Sequence, residues 1–299
     1  TQTTWDQPFF ATLLLMTCLL VGSFATVIGV ICLAFFSNGW LGMSIGLGLI
    51  TIYMWYTHWN PRRAELHLGV LPRRPKWFTE SHFWRLVKQY FSTEIEFVGQ
   101  QRDQINKGDA HYMFCVHPHG VVAEHRFLFW SLREESWEQL FPAIDTRDAV
   151  ASVLFHLPIS REFCLLTGCV DARRTVCQNV LSSFSPDTHT PLSLLLYPGG
   201  EAEQLQTSPY KEIAWIKGRR GTAKLSLETG SPMIPVYVFG VSQEYHTNTK
   251  FLMGLRHWIR KKLAVVITFF WGETPILFWM PKRVKLWAVI GDPVGSTSK

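Results

Sequence analysis

The pattern of hydrophobic and polar positions divides the chain near residue 62. From residue 7 to residue 61 there is no Asp, Glu, Lys or Arg. A helix needs about 20 apolar residues to cross a bilayer core, so this stretch holds roughly two crossings. Its turn chemistry gathers at Ser37-Asn38-Gly39, because Asn and Gly favour turns and break helices. The pattern therefore predicts two spanning helices, residues 8–36 and 40–59, joined as a transmembrane hairpin over residues 1–62. Gly42 and Gly46 form a small-x-x-x-small pair that lets two helices approach closely. The competing readings are a buried helical pair of a soluble protein and a cleaved signal peptide. Both are disfavoured by length, and no Lys or Arg precedes the apolar run as a signal peptide requires. Arg62, Arg63, Arg73, Arg74 and Lys76 crowd the exit, which marks the cytosolic side and returns both ends of the hairpin there.

Beyond Pro75 the pattern becomes that of a globular domain, residues 63–299 in all. Phe83, Trp84, Val87 and Phe91 recur at helical spacing and predict an amphipathic helix over 79–91. Short continuous apolar runs at 110–116, 192–197 and 233–239 read as buried strands, and each ends in Pro or Gly turn chemistry. A helix over 221–228 stopped by Gly230 lies between the last two, and further strands are expected at 264–271 and 285–290. Apolar strands alternating with helices predict an α/β sandwich with a largely parallel sheet. In such sheets ligands bind at the carboxyl ends of the strands.

Composition sharpens this picture. Charged residues are 17% of the 299, against about 25% in an ordinary soluble domain. The 13 Trp suit a protein that meets lipid headgroups, and the net charge of +6 suits an anionic membrane face or a phosphate-bearing ligand. Nucleic acid is disfavoured as a partner, because no recognition-helix, zinc-finger or RNP pattern occurs. The 6 Cys form no Cys-x-x-Cys, and no Asn-x-Ser/Thr sequon is present, which fits a cytosol-facing domain without a disulfide framework.

Candidate chemistry concentrates in three segments. His117-Pro118-His119-Gly120 follows a predicted strand, and a Pro/Gly turn there exposes its side chains. Glu124 follows His119 after four residues, and a carboxylate can hold one imidazole nitrogen while the other accepts a proton. Hydrogen-bonded loop histidines are the plainer reading. A metal site on Cys115, His117 and His119 is the sharper rival, and Pro118 breaks the strand it would need. No Gly-x-Ser-x-Gly elbow follows a predicted strand, the one match (Gly42-Met43-Ser44-Ile45-Gly46) lying inside the apolar run, and this disfavours a serine hydrolase. Tyr197-Pro198-Gly199-Gly200-Glu201 is a second exposed turn, in which Glu201 is placed to orient a hydroxyl or a histidine and the glycine N–H groups to receive an oxyanion. Lys217-Gly218-Arg219-Arg220-Gly221, with Lys224 one turn further, opens a predicted helix whose amino end favours an anion. Arg173 and Arg174 form another glycine-flanked basic pair. Solvated basic surface is the alternative for both clusters.

Taken in order, these segments resemble the type-2 diacylglycerol acyltransferase family, which includes monoacylglycerol and wax-alcohol acyltransferases. The likeness runs through His117–Gly120, Phe141-Pro142-Ala143-Ile144, Leu157-Pro158-Ile159-Ser160-Arg161-Glu162 and residues 168–175. It continues through residues 198–203, Arg219-Arg220-Gly221, the 234–240 strand and Gly291-Asp292-Pro293-Val294. The resemblance implies an acyltransferase-like fold and an endoplasmic-reticulum or lipid-droplet enzyme that moves a fatty acyl group from acyl-CoA to a lipid alcohol. It implies no permanently bound cofactor, with acyl-CoA as co-substrate and membrane lipids and a neutral lipid acceptor as partners. Diacylglycerol is the expected acceptor, with monoacylglycerol, a wax alcohol or a lysophospholipid as alternatives, and a homo-oligomer is left open. His119 is the expected base, with His117, Glu124 and Glu201 around it. The phosphates fall to Arg173, Arg174, Gly199, Gly200, Lys217, Arg219, Arg220 and Lys224. A non-catalytic lipid-binding scaffold and a metal-dependent membrane hydrolase are the readings of other classes.

Overall fold

The computed structural model describes residues 6–18, 23–59, 64–66, 74–126, 128, 137, 140–186, 189–263, 266–274 and 276–295. Helix α1 (Gln7–Met16) starts at Asp6, whose Oδ1 accepts the Phe9 N–H at 2.9 Å, with Pro8 in its first turn. It buries Phe9, Ala11 and Leu15, and Phe9 meets Tyr90 of α3 (His82–Phe91) at a ring distance of 6.4 Å. Within the expected first helix, 8–36, residues 19–22 lie outside the described set. Its amino-terminal part is docked into the domain, and the next helix, α2, spans Ser23–Trp59.

Within α2 the backbone leaves helical geometry at Asn38 (φ −141°, ψ 23°) and Gly39 (φ 53°, ψ −132°). Gly tolerates that positive φ without steric cost. A Cβ on Gly42 would stand 1.7 Å from the Ala34 carbonyl oxygen, and one on Gly46 3.4 Å from that of Val30. Residues 30 and 46 would be about 24 Å apart along a straight helix, so the arms on either side of the break lie close together. The stretch Ala34–Thr57 is long and apolar enough to cross a membrane, and most of it is exposed.

The domain is built on a seven-stranded sheet of β1 (Glu94–Phe97), β2 (Met113–His117), β3 (Asp145–Val150), β4 (Cys169–Asp171), β5 (Leu192–Leu196), β6 (Met233–Phe239) and β9 (Trp287–Ile290). Their order is β1-β9-β6-β2-β5-β3-β4, and every neighbouring pair is parallel except β6 and β9. Strand β2 is central: Met113 stands opposite Leu194 on one side and Met233 on the other. The apolar runs at 110–116, 192–197 and 233–239 thus form the middle of the sheet, where both faces are covered and a continuous hydrophobic sequence is required. One region differs. The expected strand over 264–271 shrinks to β8 (Phe270–Trp271), which pairs with β7 (His246–Thr247), while helix α8 (Met253–Leu263) occupies the approach and residues 264–265 lie outside the described set.

Four other helices frame the sheet: α4 (Ser160–Leu166), α5 (Arg174–Val180), α6 (Gly200–Gln204) and α7 (Arg220–Thr229). Helix α7 ends where Gly230 adopts the left-handed conformation (φ 66°), the usual geometry of a helix carboxyl end.

Candidate active site

The carboxyl ends of β2 and β5 adjoin, which brings the His117-Pro118-His119-Gly120 turn beside the Pro198-Gly199-Gly200 turn. A cis peptide bond joins His117 to Pro118. One carboxylate ties the two turns together, and it belongs to Glu203. Its Oε2 accepts the His117 Nδ1–H at 3.0 Å and the Trp215 N–H at 3.2 Å, while Oε1 accepts the His119 backbone N–H at 2.8 Å. Three donors on a side chain only 1% exposed make this a satisfied buried network. A Cβ on Gly199 would lie 1.6 Å from Glu203 Oε2, so only glycine fits there.

His119 is differently placed. Its Nδ1 lies 3.1 Å from the Gly120 carbonyl oxygen. A carbonyl can only accept, so Nδ1 carries the proton and Nε2 keeps its lone pair. Burial first, and the nearby Arg126 cation second, push the imidazole pKa down to about 4, against the opposing pull of the Gly120 carbonyl and Glu203. The ring is therefore a neutral imidazole at physiological pH.

His119 opens onto a cavity of about 840 Å³. The same cavity is lined by Arg126, Glu201, Gly200, Arg174, Arg219 and Arg220, with Val150, Leu154 and Leu225 among its apolar walls. Gly221 and Thr222, in the first turn of α7, face it too, so the free N–H groups of that turn open onto it. Arg219 Nη2 donates to the Gly199 carbonyl at 2.8 Å, fixing this helix start against the glycine turn.

Other expected site residues are elsewhere. Glu124 does not reach a histidine. It is fully buried against Glu244, and neither carboxyl has another hydrogen-bond partner among the described residues. Burial raises the pKa of Glu124, and burial together with Glu124 raises that of Glu244 well above the usual carboxylate range. Arg173 is drawn to Asp171 at 3.4 Å, Lys224 to Glu228 at 3.7 Å, and Lys217 is exposed; none of them lines the cavity. Arg174 lines it while pairing with Glu228. The Gly200 N–H, considered for an oxyanion, donates to the Tyr197 carbonyl at 3.0 Å. Cys115 is not a ready nucleophile, since burial pushes its thiol up to about 12. No cluster of three or more His, Cys, Asp or Glu side chains suited to a metal occurs among the described residues.

Two residues were missed. Glu203 stands two positions beyond Glu201 in the same block, and its signal was that spacing: on the short helix α6 the pair cannot face the same way. Arg126 directly follows Glu124 and His125, a polar trio that reads as surface. It is buried, its Nε lies 3.6 Å from Asp148 Oδ2 and donates to the Ala123 carbonyl at 3.2 Å, and its guanidinium lies 4.7 Å over the Tyr197 ring. His119 meets the same ring edge-on at 5.6 Å.

A neutral histidine thus shares one cavity with apolar walls, guanidinium groups and a helix amino end. The sequence supplies the family. The model of the diacylglycerol acyltransferases matches residues 33–299, and the chain belongs to that family. It is 24% identical over 234 residues to diacylglycerol O-acyltransferase 2A of Umbelopsis ramanniana, covering 73% of this chain and 61% of that protein. To human 2-acylglycerol O-acyltransferase 3 it is 23% identical, covering 74% and 65%, and to diacylglycerol O-acyltransferase 2 of Xenopus tropicalis 26%, covering 74% and 61%. The matched region thus spans 61–65% of the length of these relatives. Among solved structures, the lysophosphatidic acid acyltransferase PlsC of Thermotoga maritima aligns over 97% of this chain and 88% of its own, at 14% identity and a TM-score of 0.36.

Proposed function

We propose that this protein is a membrane-bound O-acyltransferase that moves a fatty acyl group from acyl-CoA to a lipid alcohol, with diacylglycerol as its principal acceptor. The observation that carries this reading is the shared cavity: His119 with a free Nε2 at one place on its wall, and Arg219, Arg220 and the α7 amino end at another. CoA phosphates suit that cationic helix start, and the apolar wall suits an acyl chain. Family membership supports the reaction class, and the named relatives, which act on diacylglycerol and 2-acylglycerol by their names, support the acceptor.

In the reaction, His119 Nε2 takes the hydroxyl proton as the alcohol oxygen bonds to the thioester carbon. The carbonyl becomes an oxyanion facing the Arg126 cation, a type of stabilisation worth about 3 kcal/mol per donor. Collapse breaks the carbon–sulfur bond, and the thiolate takes the proton from the imidazolium, leaving an ester and free CoA. Glu203 is a positioning residue: it holds the His-Pro-His-Gly turn through two of its three hydrogen bonds. The apolar segment crosses the endoplasmic-reticulum membrane as a hairpin, with the residue 63–299 domain on the cytosolic face; lipid droplets are a second location. The test is purified protein in nanodiscs with labelled oleoyl-CoA and a panel of diacylglycerol, monoacylglycerol, long-chain alcohol and lysophospholipid. A labelled neutral lipid ester from diacylglycerol is expected; no ester from any acceptor would remove the reading.

A further inference from the structure

Helix α8 is turned inside out. Phe251, just ahead of it, and Leu255 and Trp258 within it are 50%, 50% and 56% exposed. Their spacing places them on one face, which ends at the exposed Lys261 and Lys262. The opposite side carries Arg256, 2% exposed, whose Nε donates to the Ile267 carbonyl at 2.7 Å and Nη1 to the Asn248 carbonyl at 3.0 Å. A helix on a water-facing surface buries its apolar stripe and exposes its charges; here Arg256 is inside while Phe251, Leu255 and Trp258 are outside.

Charge indicates what covers that stripe. From residue 250 to residue 272 the chain holds Lys250, Arg256, Arg260, Lys261 and Lys262 and no Asp or Glu. A second copy of the same face would meet like charge. An anionic bilayer supplies opposite charge for the lysines and an apolar layer for Phe251, Leu255 and Trp258, and Trp favours that boundary. Position agrees with this. The segment after α8 packs Phe270 and Trp279 with Met16 of α1, and Trp279 Nε1 donates to Thr17 Oγ1 at 3.0 Å. Helix α1 precedes the apolar α2 by six residues, so the segment that follows α8 lies next to the part of the domain from which the apolar segment departs.

We infer that the outward face of α8 lies in the headgroup layer of an anionic phospholipid bilayer, a second membrane contact separate from the apolar α2. Such helices sit about 5–10 Å into the headgroup and acyl boundary. The test uses the full chain with Cys18 and Cys32 replaced by Ser, reconstituted into bilayers containing phosphatidylserine. Nitroxide labels are placed singly at Leu255→Cys, at Leu47→Cys in α2 and at Leu227→Cys on the exposed face of α7. Accessibility to oxygen and to an aqueous nickel chelate is then measured. Labels at 255 and 47 are expected to be oxygen-accessible and shielded from nickel, with 227 open to nickel. Adding Lys261→Glu and Lys262→Glu is expected to return the 255 label toward water. A 255 label as nickel-accessible as 227, with 47 in lipid, overturns the inference and leaves the membrane span intact. If 47 is also in water, the membrane assignment falls with it. Dipolar broadening between 255 labels that disappears on dilution with unlabelled protein would make a second copy the occupant and equally overturn it.

Discussion

Two buried carboxyl groups stand near the histidine turn in opposite surroundings. Glu203, on α6, receives three N–H donors and joins the carboxyl ends of β2 and β5. Glu124, within the segment that leaves β2, lies against the Glu244 carboxyl with no N–H donor among the described residues, and burial raises the pKa of both. Glu124 has the sequence spacing expected of a histidine partner, yet Glu203 has the contact. Donors around a buried carboxyl fix it in place, whereas burial without donors raises its pKa.

The comparison breaks most visibly at Glu203. Glu203→Ala leaves the His117 ring N–H and two backbone N–H groups buried without an acceptor, at about 1–3 kcal/mol each. We expect a large fall in melting temperature, and in the folded fraction a loss of kcat of about 10²-fold. Arg126→Gln comes next and sharpens the contrast from the cavity side. Removing the cation should cost about 10²-fold in kcat, with little change in KM for acyl-CoA. It should also move the acid limb of the pH–rate profile. Burial and Arg126 both lower the His119 pKa, so the base is lost only as pH falls through about 4. Without Arg126 that limb rises toward the ordinary value of about 6.5. Glu124→Gln is the smallest effect. It replaces a buried carboxyl that accepts from no N–H donor among the described residues by an isosteric neutral amide, so activity should stay within about threefold and stability within about 1 kcal/mol of the parent. A collapse of kcat in Glu124→Gln with folding intact would reverse the roles of the two carboxyls.

Much of this was legible in the sequence. The central strands, the His-Pro-His-Gly turn at a strand end, and the Arg219-Arg220 helix start follow from apolar runs closed by Pro and Gly, because parallel strands covered on both faces must be continuously apolar. Strand β3 was not legible, because its sequence Asp145-Thr146-Arg147-Asp148 reads as surface, although all of it is buried. Its charges are matched in space: Arg147 bonds Asp145 at 2.5 Å and 3.1 Å, Arg74 approaches Asp145 at 3.7 Å, and Arg126 approaches Asp148 at 3.6 Å. The Arg147–Asp145 pair is local, but Arg74 and Arg126 reach the strand from far along the chain, and no local periodicity records that. The same holds for Glu203, whose partner His117 lies 86 residues away. The strand expected over 264–271 differs for another reason: its continuous apolar run imitates a buried strand, and only Phe270–Trp271 pairs as one among the described residues.

The central claim is that the neutral imidazole of His119 is the base for acyl transfer, and a single-turnover measurement with His119→Ala tests it directly. Protein in nanodiscs, saturated with labelled oleoyl-CoA, would be mixed with diacylglycerol and the rate of ester formation followed. The account predicts a loss of about 10³-fold in that rate, with acyl-CoA binding retained because the cationic helix start is untouched. Ester formation by His119→Ala at a rate near that of the parent protein would contradict it.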